Sequence, residues 1–122
     1  MGINTIVQPH EWPITSMPDE FEEALLNRVL SDMEYRALKQ GFKPRDMDDR
    51  WFLYVQDDWL YLHRSWTGHC IFKVKVEYIH DNYTLSTLHL NRNPQQYKSI
   101  NADTDKQELN SVLNTFIALN AE

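Results

Sequence analysis

Between Trp51 and Leu90 the sequence divides into four runs rich in β-branched and aromatic residues: WFLYV (51–55), WLYLHRS (59–65), HCIFKVKVEYI (69–79) and YTLSTLHL (83–90). Only Asp57-Asp58, Trp66-Thr67-Gly68 and Asp81-Asn82 separate them. A parallel crossover needs a dozen or more residues, so connections this short can join only antiparallel neighbours. The spacing therefore predicts a four-stranded meander. In the third run Phe72, Val74, Val76 and Tyr78 alternate with Lys73, Lys75 and Glu77. One face of the sheet is then buried, and the other is wet or turned toward a ligand.

The flanks read as helices. Ser16 followed by Asp19 resembles a helix start, with Pro18 in the first turn. Phe21, Leu25, Val29, Met33 and Ala37 then recur every fourth residue, widened by Leu26 and Leu30, before a capping glycine at Gly41. Ser31 and Glu34 offer a second capping box, where this helix would break. At the other end, Thr104 and Gln107 have capping-box spacing, and Leu109, Val112, Leu113, Phe116 and Ile117 form an i, i+3, i+4, i+7 stripe. Pro9, Pro13 and Pro18 forbid a continuous helix before that, leaving residues 1–15 as an extended arm pinned by Ile6, Trp12 and Ile14. The expected architecture is an α+β fold ordered α-β-β-β-β-α, with both helices on one face of the antiparallel sheet. A chain of 122 residues makes this a single domain, 1–122.

Charge narrows the functional classes. The net charge of -6 argues against general nucleic-acid binding, which depends on Lys and Arg at phosphates. The charge is unevenly placed: residues 1–59 hold six Lys/Arg against twelve Asp/Glu, residues 60–98 five against two, and residues 99–122 one against four. The central segment alone is basic, and a small anionic ligand suits it. A single cysteine cannot form an internal disulfide, so a reducing, cytoplasmic setting is expected. The start, MGINTIVQPHEW, has no signal-peptide pattern, and no apolar run reaches the roughly 20 residues of a membrane span. The expectation is a soluble protein without membrane contact or cofactor.

The most reactive stretch is HRSWTGHC, residues 63–70. A two-residue hairpin register sets His63 opposite Cys70 and Arg64 opposite His69, on opposite sheet faces, whereas a three-residue register shifts the pairs by one. His63, His69 and Cys70 are zinc-type ligands, although the usual paired spacing is absent. Cys70 beside a histidine could be a nucleophile, against which stands its entry into an apolar strand. Anion capture uses more of the residues. In that reading Arg64 forks onto a phosphate or carboxylate, Ser65 and Thr67 add hydroxyls, Gly68 lets backbone approach, and Trp66 stacks on a flat group. A plain structural hairpin, with Gly68 in the left-handed region and Trp66 over the edge of the core, accounts for nearly as much.

Elsewhere the signals are weaker. Asp46, Asp48 and Asp49 could attract a divalent cation but lack the glycine and distal glutamate of a calcium loop. His89 is a spare acid-base candidate if the sheet face is a site, and His80 falls at a turn.

The stretch from Arg50 to Ile71 resembles a group of small bacterial domains that carry an R-W-F-x-Y run followed by W-L-Y-x-H-R-S-W-T-G and C-I. Arg50-Trp51-Phe52, Tyr54, Trp59 to Tyr61, His63 to Gly68 and Cys70-Ile71 carry the resemblance. Such domains sometimes occur with ADP-ribosyl-processing domains and bring no established reaction. The resemblance implies a lean toward nucleotide-like or ADP-ribose-like ligands.

The functional expectation is a binding or regulatory module whose anionic ligand is held by His63, Arg64, Ser65, Trp66, Thr67 and His69. One alternative is a hydrolase or transferase on a nucleotide-like or ADP-ribose-like substrate, with His63 or His69 as base. Another is an acidic protein-interaction module of the antitoxin, immunity or phage-inhibitor type, contacting a basic protein partner. A free sheet edge could also pair two copies into a homodimer.

Overall fold

The computed structural model describes residues 6–121, so residues 1–5 of the expected arm lie outside the described residues. It is an α+β fold with one antiparallel sheet of five strands, not four, and two helices. The strands are β1 (Phe21–Leu30), β2 (Trp51–Gln56), β3 (Trp59–Arg64), β4 (Cys70–Ile79) and β5 (Asn82–Asn91). The helices are α1 (Asp32–Gln40) and α2 (Ala102–Asn120). Across the sheet the order is β1-β5-β4-β3-β2, so the meander from β2 to β5 forms as its short dividers require and β1 adds beside β5.

The extra strand corrects the sequence reading of residues 16–30. Residues four apart share a face in a helix, but they also share one in a strand, because four is a multiple of the strand's period of two. Phe21, Leu25 and Val29 are the exposed set, and Leu30 is buried on the opposite face. Ser31 takes the helix start instead: its hydroxyl accepts from the Glu34 N–H while the Glu34 carboxylate accepts from the Ser31 N–H. No cap forms at Ser16. Gly41 ends α1 as expected, donating to the Leu38 carbonyl at φ 76°.

Both helices pack on one face of the sheet. Leu38 of α1 and Leu109, Leu113, Phe116 and Ile117 of α2 join Leu53, Leu62, Phe72, Val74 and Leu88 in one core. α2 begins three residues earlier than the Thr104 box predicts, because Asn101 is the extended N-cap and its side chain accepts from the Thr104 N–H. Asp105, in the first turn, is fully buried, held by Arg92 at 2.7 Å and by the Tyr97 hydroxyl at 2.7 Å. That clamp ties the loop after β5 to the helix.

Among the described residues the opposite face carries no α-helix. Instead the arm, which makes a short 3-10 turn at Pro9–Glu11, lies over its β2–β3 side. The Trp12 ring stacks on Phe52 and its indole N–H donates to the Ser65 carbonyl at 2.9 Å, while the Thr15 N–H donates to the Gly68 carbonyl at 3.0 Å. Trp12 and half-buried Ile14 thus pin the arm as the sequence suggests, whereas Ile6 is exposed. Among the described residues no helix is long and apolar enough to cross a membrane.

Candidate functional site

The β3–β4 hairpin closes with His63 opposite Cys70, the pairing that two-residue spacing predicts, and with the Arg64 N–H donating to the His69 carbonyl. Consecutive strand residues point to opposite faces, so His63 and Arg64 enter different surroundings. The six expected site residues are therefore divided.

Arg64 points to the helix side, where β2 places Trp51 directly across the ladder. Its guanidinium stands 4.6 Å from the Trp51 ring centroid and 5.9 Å from that of Tyr97. Beyond it opens a cleft of about 890 Å³, lined by Met47, Asp48 and Arg50 from the loop before β2, by Arg64, Trp66 and Thr67 from the hairpin, and by residues 96–99 from the loop before α2. Arg50, Arg64 and Lys98 supply three positive charges against the one negative charge of Asp48. Among the described residues none of these three cations is paired with a carboxylate. Trp66 is 73% exposed, yet its indole N–H is fixed to the Met47 carbonyl at 3.0 Å, which holds its ring at the rim.

Ser65 does not reach the cleft. Its hydroxyl donates to the Asp49 carbonyl at 2.7 Å and its N–H to the Arg50 carbonyl at 2.8 Å, so it fastens the hairpin to the preceding loop. His69 also lies apart, with Nδ1 3.4 Å from the Thr15 hydroxyl of the arm. His63 is buried on the open-face side between Gly68 and Tyr54: Nδ1 is 2.9 Å from the Gly68 carbonyl, and Nε2 is 3.2 Å from the Tyr54 hydroxyl. A carbonyl only accepts, so Nδ1 carries the proton and Nε2 accepts from Tyr54. Burial lowers the pKa of His63, the Gly68 hydrogen bond opposing it, and the neutral ring is favoured. Burial pushes the Cys70 thiol up to about 12, with the Lys73 charge opposing, which disfavours the thiolate that a nucleophile needs.

A smaller cleft, about 290 Å³, lies under the arm beside these residues. Its walls include Thr15, Met17, Tyr54, Tyr61, His63 and Lys73. Further along the same face Lys73 stands over Trp59 at 4.5 Å and Tyr61 at 5.5 Å, and Lys75 over Trp59 at 5.3 Å. His89 stacks on Phe21 and meets the Trp59 ring at a tilt, with Nε2 3.3 Å from Glu23.

The metal readings find no ligand set: among the described residues, no three His, Cys, Asp or Glu side chains converge. Asp49 is held bidentately by Arg45 and Asp46 accepts from the Asp48 N–H, so the acidic group is an internally bonded loop. Sequence reasoning missed Arg50, Tyr97 and Lys98 as neighbours of Arg64. The signal available was the basic balance of residues 60–98, which includes Lys98, but no short-range pattern shows that the loop before α2 folds back over the hairpin.

No family model, curated protein or solved structure matches the chain.

Proposed function

We propose that the chain is a small binding module that takes an anionic, nucleotide-like ligand in the cleft around Arg64. The observation that carries this reading is the state of Arg64 itself. Its guanidinium is backed by two aromatic rings, has no carboxylate partner among the described residues and opens onto a cleft large enough for a nucleotide-sized molecule. Rings on its faces leave the N–H edge available, and that edge matches a phosphate or carboxylate bidentately. Arg50 and Lys98 add charge at the same opening, and Trp66 offers a ring to a base or sugar. The resemblance of the motif to domains found with ADP-ribosyl-processing domains leans the same way.

A binding role is favoured over a hydrolase or transferase because neither His63 nor His69 lines this cleft, and general-base chemistry needs a group within hydrogen-bond reach of the reacting atoms. Calorimetry of the wild type and of Arg64→Ala against ADP-ribose, adenine nucleotides, a sugar phosphate and inorganic phosphate tests the reading. Binding by the wild type that is lost in Arg64→Ala is expected. Failure of every one of these anions to bind, or equal affinity in the variant, overturns it.

A further inference from the structure

We propose that β1 is a self-pairing edge: two copies of the chain join β1 to β1 antiparallel, about a two-fold axis at Leu25, into one continuous ten-stranded sheet. β1 is an outer strand, hydrogen-bonded to β5 on one side only. Its free edge spans ten residues, Phe21–Leu30, long for an edge strand that natural proteins keep short, charged or covered. Along it run three large exposed apolar side chains on the open face, Phe21 at 43%, Leu25 at 63% and Val29 at 59%.

The sequence of this strand reads as a complementary palindrome. With Leu25 on the axis, Leu25 meets Leu25, Phe21 meets Val29, Glu22 meets Arg28 and Glu23 meets Asn27 of the second copy. Every apolar side chain of the stripe then faces another, and an acid faces a base. Neighbouring symmetric registers do worse. An axis at Glu23 opposes two glutamates, one at Ala24 sets Glu23 against Leu25, and one at Leu26 sets Glu23 against Val29. A two-fold contact requires the same surface on both subunits to be self-complementary, and only the Leu25 register meets that condition across the strand.

Between Leu25 and Arg28 the strand is bulged, with Asn27 at φ 52°, and the residues on either side keep the faces that these pairs require. Arg28 faces the helices, where it donates to Asn110 and Asn114 of α2, as Glu22 does where it accepts from Arg92 on the same side. Val29 shares the open face with Phe21. Face parity is thus retained across the bulge, and the axis places one bulge on either side of itself. Within its own chain Arg28 has only neutral partners among the described residues, and the Leu25 register brings to it Glu22 of the second copy, a carboxylate also held by that copy's Arg92.

Single-cysteine variants in the full chain test the register. Directly opposed residues lie roughly 4.5–5.5 Å apart at Cα, within disulfide reach. Leu25→Cys is expected to cross-link to itself under mild oxidation. Phe21→Cys and Val29→Cys are each expected to stay uncross-linked alone and to cross-link when mixed. Buried Cys70 leaves the wild type unlinked under the same oxidant. Sedimentation is expected to give a dimer for the wild type and a monomer of unchanged circular dichroism for Leu25→Asp. A wild type that sediments as a monomer at every concentration, a dimer untouched by Leu25→Asp, or cross-linking in another register overturns the proposal.

Discussion

Arg64 and Trp51 are cross-strand partners, and the guanidinium of the first lies over the indole of the second at 4.6 Å. The pairing follows from the β2–β3 register alone, so the sheet itself positions the cation at the cleft. A ligand gripped by a fork held in that way should distinguish Arg from Lys. Arg64→Lys is expected to retain the charge, lose the bidentate contact and the stacking, and weaken affinity for the anion bound by the wild type by roughly tenfold. Titration calorimetry measures it, and the unfolding free energy should move by less than about 1 kcal/mol.

His63 makes stability depend on pH in a defined direction. Its folded pKa lies below the ordinary value of 6.5, so the folded state binds its proton less readily than the unfolded chain does. The contribution is fully present above pH 6.5 and is lost as pH falls through the lowered folded value. Urea unfolding at several pH values should show a shallower decline below pH 6.5 in His63→Gln than in the wild type. Parallel declines would mean that His63 titrates as it does in solution.

Cys70 should be silent toward thiol reagents. With its side chain fully buried and its pKa near 12, almost no thiolate exists at neutral pH. Colour development with a disulfide reagent is expected only after unfolding, at a rate set by opening of the structure.

Gly68 is required twice over. It sits at φ +80°, and a Cβ added there would lie 2.4 Å from the Pro13 carbonyl oxygen of the arm. Gly68→Ala should cost about 2 kcal/mol in chemical denaturation. Gly68→Asn, which tolerates that backbone region better, should not restore the loss because the contact with Pro13 persists.

Asp105 anchors the loop that forms the far wall of the cleft. Its side chain is 1% exposed and holds both Arg92 and Tyr97, the latter being one of the rings behind Arg64. Asp105→Ala strands Arg92 on one buried side and should cost about 3 kcal/mol. Near-ultraviolet circular dichroism should register the released Tyr97.

Much of the meander was legible because hairpin dividers act locally: Asp57-Asp58 turns with positive φ at both residues, the conformation of tight primed turns, and so does His80-Asp81, one residue before the Asp81-Asn82 divider read from the sequence. β1 was not legible, since a stripe at every fourth position satisfies helix and strand alike and only the distant partner β5 decides. The site divided for a related reason. Chain proximity gathered His63, Arg64, Ser65 and His69 into one motif, but strand alternation sent His63 to the side under the arm and Arg64 to the helix side. Of the tertiary neighbours of Arg64, Tyr97 and Lys98 come from a loop with no sequence signature of its own, and Arg50, although it opens the R-W-F-x-Y run, gives no sign in the sequence of facing the same cleft.

The placement of β1 also sets an order in time. It is made first, yet its ladder partner is the last strand, with Phe21 matched to Asn91 and Leu30 to Tyr83. On a ribosome the meander can begin to zip as each hairpin emerges, whereas β1 must wait with both edges bare until β5 has been synthesised. Contacts so distant in the chain are the slow ones to close. During that interval the exposed Leu25 and Val29 belong to a nascent chain and not to a folded one, which makes this strand the point where early recognition by a chaperone, or mispairing with another nascent copy, would begin.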